Sequence, residues 1–133
     1  MKNTAFTPLG NSTVSTSKIF LTCPECGQKF EAKHHRASFC SPAHRNAYNN
    51  RQLAEGQRIV AIAKAWRQSR STSDPALKAA GREAFSQLCR ELDMLNAADS
   101  AHGRMSALKV YRRRSANGLL DHQGPLAAAA KSR

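Results

Sequence analysis

Apolar positions recur at three- and four-residue steps through the middle of this chain, and alternate only briefly near its start. Leu77, Ala80, Ala84, Leu88, Leu92 and Leu95, with Phe85 at the edge, form the strongest such stripe. That spacing places them on one helical face, and Asp74-Pro75 supplies an N-cap and a proline at the first helical position. An earlier helix is expected from Pro42 to about Ser69. At 100° per residue Tyr48, Ile59, Ile62, Ala63 and Trp66 fall within about 60° of one direction, and His44 shares the stripe. Gly56 weakens the middle of that helix and predicts a bend or interruption. The link Ser71–Pro75 is short, which favours an antiparallel helical hairpin with the two apolar stripes facing each other. Asp99-Ser100 offers a third cap, for a helix running to about Ser115 with Met105, Leu108, Val110 and Tyr111 and stopped by Gly118. Upstream, Ile19-Phe20-Leu21-Thr22 and residues 28–32 are short enough only for a strand pair.

The strand pair frames the chemistry. Cys23-Pro24-Glu25-Cys26 is a C-x2-C knuckle, and after thirteen intervening residues come Cys40 and, four positions on, His44. Two close pairs of nitrogen and sulfur ligands are what a closed tetrahedral structural zinc site requires. Pro24 and Gly27 suit the knuckle turn, while Phe30 and Phe39 offer packing beside a site too small for a core of its own. Ser41-Pro42 is a helix start, so Cys40 should precede the helix and His44 lie in its first turn. His34 or His35 is an alternative fourth ligand. Cys89 has no ligand partner nearby and is expected to be a small buried hydrophobe.

The runs Cys23-Pro24-Glu25-Cys26-Gly27 and Phe39-Cys40-Ser41-Pro42-Ala43-His44-Arg45, with Tyr48-Asn49-Asn50-Arg51 following, resemble small bacterial zinc-finger proteins of pattern C-x2-C, then F-C-S-x-x-C-R. The DNA gyrase inhibitor zinc-binding family is similar in its cysteine pairs. The match covers roughly residues 20–51, and His44 stands where that pattern has cysteine. Downstream the chain departs further, continuing long and basic where the gyrase inhibitor family is acidic. The resemblance implies one structural zinc, and docking on a larger DNA-processing enzyme as an alternative function.

The expected fold is therefore mainly α: a small treble-clef-like zinc finger (a β-hairpin knuckle plus a helix) that continues into a helical hairpin and a third, basic helix. The segments are a flexible lead-in rich in Ser, Thr and Asn (1–17), the finger (18–51), the hairpin sharing its first helix with the finger (42–98), the basic C-terminal helix (99–117) and a tail (118–133).

Charge then changes the picture. The 133 residues carry 21 Lys and Arg against 9 Asp and Glu, a net charge of +12. Residues 71–98 alone are slightly acidic, with three basic groups to four acidic ones. Such an excess draws a protein to polyanions by counterion release, so the leading partner is DNA, with RNA also open. Arg45, Asn46, Asn49, Asn50 and Arg51 crowd the helix beside the metal site, and Arg and Asn can contact guanine and adenine edges bidentately. Arg112-Arg113-Arg114, next to Tyr111, is the densest positive run and is suited to phosphates. A second expected partner is a protein, or another copy of the chain, bound through the Leu77–Leu95 stripe.

No paired carboxylates or phosphate-cradling glycine loop accompanies the finger. His34-His35 with Asn49 or Asn50 only faintly resembles a His-Asn-His nuclease. Binding is expected rather than catalysis, with no small-molecule substrate. Without a membrane-length apolar run or signal-peptide pattern, the expected location is the cytoplasm, where cysteines at this spacing hold metal more readily than they form disulfides.

Overall fold

A computed structural model describes residues 18–34 and 37–118. The lead-in (1–17), His35 as an alternative ligand, and the tail from residue 119 lie outside the described residues. The elements, in order, are β1 (Ile19–Thr22), β2 (Lys29–Ala32), α1 (Pro42–Ser69), α2 (Pro75–Ala101) and α3 (Ala107–Ala116). β1 and β2 pair antiparallel, with Ile19 opposite Ala32 and Thr22 opposite Lys29. The knuckle is their turn.

Local chemistry sets each helix start. The Ser41 side chain accepts from the His44 amide, Asp74 from Ala76, and Ser106 from Lys109. These bonds satisfy amides that a helix N-terminus otherwise leaves unpaired. The first two starts are those expected from the sequence. The third is not: Asp99-Ser100 caps nothing, because α2 runs on to Ala101. Asp99 instead receives the guanidinium of Arg104 at 2.8 Å, in the link that redirects the chain. Gly56 does not interrupt α1, which runs unbroken for 28 residues. A single glycine costs a helix only about 1 kcal/mol, which packing against α2 offsets.

α1 and α2 lie side by side as the expected hairpin. Leu88 is buried in the seam, and Trp66 meets Phe85 across it with ring centroids 5.2 Å apart. Two helices cannot enclose a stripe from all sides. Leu77 remains 55% exposed and Leu92 38% exposed. Cys89 is also exposed, contrary to expectation, because it sits at the flank of the stripe with nothing above it.

α3 turns back onto the finger. The Met105 amide donates to the carbonyl of Pro24 in the knuckle at 3.0 Å. Gly27 has φ +73, and a Cβ there would come within 2.1 Å of the Gly103 carbonyl oxygen. That position needs glycine twice over, for its left-handed backbone and for the close approach of the α2–α3 link. Val110 of α3 is buried and lines a small cavity with Tyr48 and Met105, so the finger end has a miniature core of its own. Among the described residues, no helix is long and apolar enough to cross a membrane.

Candidate metal centre

The knuckle turn presents Cys23 and Cys26, while the approach to α1 and its first turn present Cys40 and His44. The four ligand atoms all lie within 4.8 Å of one another. Cys26 Sγ is 3.9 Å from Cys40 Sγ, and His44 Nδ1 is 3.9 Å from Cys23 Sγ and 3.0 Å from Cys40 Sγ. A tetrahedral ion with bonds of about 2.3 Å to sulfur sets sulfur–sulfur separations of about 3.8 Å. The donor set fits one metal ion. His34, the other described candidate, lies outside this group.

The thiols show the conflict that a cation resolves. Burial opposes ionisation of Cys23, yet the backbone amides of Cys40, Cys26 and Glu25, together with the His44 side chain, outweigh it and hold the thiol at about 6. Partial desolvation and the neighbouring Cys23 and Cys26 sulfurs push Cys40 the other way, above its ordinary value. Crowded sulfurs cannot all shed protons unless positive charge arrives among them.

Basic side chains surround the centre, and two of those expected to meet nucleic acid are used internally. Arg51 makes a two-pronged contact with Glu25 of the knuckle, with Nη1 3.0 Å from Oε2. That hydrogen bond holds the Glu25 carboxyl below its usual value. Arg113 donates to the carbonyls of Thr22 at 2.7 Å and Ser38 at 3.2 Å. Burial lowers its pKa while the nearby Cys23 raises it. Arg114 is half-buried, its guanidinium carbon 5.6 Å from the centre of the Tyr48 ring. Arg51 lies 5.5 Å from the same ring, and Phe39 packs at 5.3 Å. Burial of the Tyr48 phenol raises its pKa, which keeps it neutral.

Arg45, Asn46, Asn49, Asn50 and Arg112 are exposed. The first four lie in the first three turns of α1, with Asn46, Asn49 and Asn50 turned away from the stripe that holds Tyr48 and Arg45 at its edge. The roles of Arg113 and Tyr48 as braces were not apparent from the linear sequence. A run of three arginines gives no sign of which one turns inward. No family model, curated protein or solved structure matches this chain.

Proposed function

We propose that this is a small zinc-binding protein that engages DNA, with zinc in a structural role. Three thiolates and an imidazole are soft ligands that favour zinc over the hard divalent cations, and four of them leave no open position for a reacting group. The proposed role is therefore binding rather than catalysis. The observation that carries it is the exposure of Arg45, Asn46, Asn49 and Asn50 in the first turns of α1, which the metal ligands anchor. Arg45 is in no ion pair among the described residues. With a net charge of +12, such a face draws phosphate and presents side chains able to contact base edges.

The test is binding of the metal-loaded protein to a random duplex across a salt series, beside metal-stripped protein and an Arg45→Ala/Asn49→Ala/Asn50→Ala variant. Support is a log–log salt slope of about −0.9 per phosphate engaged, with affinity lost on stripping and in the variant. Unchanged binding by the variant removes the face from the site. No binding at low salt overturns the proposal.

A second reading has its own observation. Leu77, Leu92 and Met94 stay exposed along the hairpin, Met94 to 71%. Large apolar side chains left at the surface can be covered by association, so the hairpin is suited to a protein partner or a second copy. A stable dimer in sedimentation without nucleic-acid binding would favour this reading.

A further inference from the structure

The loop end of the hairpin, far from the metal, holds another concentration of basic side chains outside the ion pairs of the described residues. α1 is 28 residues long, which puts its C-terminal end about 40 Å from the metal site. Between residues 64 and 82 the chain carries five basic side chains and one acidic one, Asp74. The Asp74 carboxylate accepts the Ala76 amide as a helix cap. The ion pairs among the described residues engage Arg51, Arg58 and Arg104, and none engages Arg70, Lys78 or Arg82.

These three cations line a groove of about 560 Å³ together with Trp66 and Phe85. The two rings meet at 38°, and Phe85 is 44% exposed. Gly81 also lines the groove, and its lack of a side chain lets α2 approach Ser69 of α1 closely. Aromatic faces flanked by cations are the elements that bind a strand with free bases: the rings stack a base while the cations follow the phosphates. A duplex hides its base faces within its own stack, so the aromatic element favours single strands.

We propose that this groove is a single-stranded nucleic-acid site, with a base stacked on Phe85 beside Trp66 and phosphates along Arg70, Lys78 and Arg82. It takes the class of partner from the function proposed above but uses different residues, at the opposite end of the hairpin.

Trp66 is the chain's one tryptophan, so fluorescence excited at the red edge, beyond the tyrosine band, reports on this groove. The experiment titrates full-length, metal-loaded protein with thymidine and uridine strands of about fifteen nucleotides, a length within the usual range of single-strand sites. Saturable quenching of Trp66 is expected. Reversal of two groove charges, Arg70→Glu/Arg82→Glu, should weaken binding about tenfold or more. The matched reversal Lys64→Glu/Arg90→Glu, on exposed positions outside the groove, should cost clearly less. Phe85→Leu keeps an apolar contact with Trp66 but removes the stacking face, and should weaken binding about fivefold or more. Unchanged helical circular dichroism in each variant shows that the fold is retained.

A preference for one sugar would show whether the natural strand is DNA or RNA. Absent quenching, equal losses in the two double reversals, or equal competition by polyglutamate would overturn the groove as a nucleic-acid site. The Arg45→Ala/Asn49→Ala/Asn50→Ala variant separates the two sites. Quenching retained in that variant supports an independent groove, even if the wild type binds no duplex. Duplex binding without quenching removes the groove and leaves the finger face standing.

Discussion

Arg113, near the end of α3, donates to the carbonyl of Thr22, the residue immediately before Cys23, the first cysteine of the candidate metal centre. The same guanidinium reaches Ser38, two residues before Cys40, so one side chain braces the approaches to both ligand pairs. A divalent cation bound there by three thiolates and a neutral imidazole would leave one negative charge for a nearby guanidinium to complement. Outer-shell partners of this kind typically change metal affinity 10–100-fold.

Replacing Arg113 with Gln should therefore weaken metal retention about tenfold or more, measured by competition with a chelator. It should also cost about 1 kcal/mol of stability, as two part-buried carbonyls lose their donor. Arg112→Gln, one position away and exposed, should change neither. Equal effects of the two substitutions would mean that charge, not the brace, matters.

Metal removal should undo the finger end as a unit. The knuckle, the α2–α3 link and α3 touch one another through Met105, Gly27 and Arg113, with few buried apolar groups to hold them otherwise. Structural zinc contributes about 10–16 kcal/mol of apparent binding free energy in small fingers, more than such a core can replace. Chelation should erase the near-ultraviolet signal of Tyr48, and His44→Ala should reproduce that loss. If the tyrosine signal survives chelation, the centre is not structural.

The helix starts were legible because each is written in a few adjacent residues. Ser41-Pro42 and Asp74-Pro75 combine a cap with a proline that only the first turn tolerates, and α1 and α2 begin there. The ligand set was legible for a similar reason, since spacing alone brings Cys40 and His44 to one side of a helix start. The α2–α3 junction was not. Asp99-Ser100 has the residue types of a cap, but Asp99 pairs with Arg104 and the helix continues to Ala101, so a tertiary contact overrides the local signal. Which arginines turn inward was equally hidden, because Arg51 and Arg113 find their acceptors 26 and 91 residues away along the chain. The exposure of Cys89 is hidden in the sequence because periodicity gives a direction but not the number of elements that cover it.

Gly81→Ala tests how tightly the loop end of the hairpin is packed. An added Cβ would lie 1.8 Å from Ser69 Oγ and 2.2 Å from Ser69 Cβ. The oxygen can rotate away, but the Cβ is fixed to the backbone. Alanine gains up to about 1 kcal/mol in helix propensity, whereas overpacking typically costs about 1–3 kcal/mol. The overpacking should win, lowering the thermal midpoint. Ser69→Gly in the same chain should recover part of the loss, and a stabilised Gly81→Ala protein would show that the helices separate easily.

The cross-hairpin pair Arg58–Glu91 gives a prediction in pH. Hydrogen bonds from Arg58 and then Gln87 lower the Glu91 carboxyl from 4.5 to about 2. A carboxyl with a depressed folded-state pKa contributes stability that is fully present above its unfolded value near 4.5, and that falls away as pH drops towards 2. The side chain of Arg58 is 67% exposed, so solvent and salt screen the pair and its net contribution should be small. The titration itself is the sharper observable. Carbon-detected NMR of the Glu91 carboxyl should give a midpoint well below the ordinary carboxylate range, and Arg58→Ala should return it towards that range. A Glu91 midpoint that ignores Arg58→Ala would mean the two side chains do not meet in solution, leaving Leu88 and the Trp66–Phe85 contact to hold the seam.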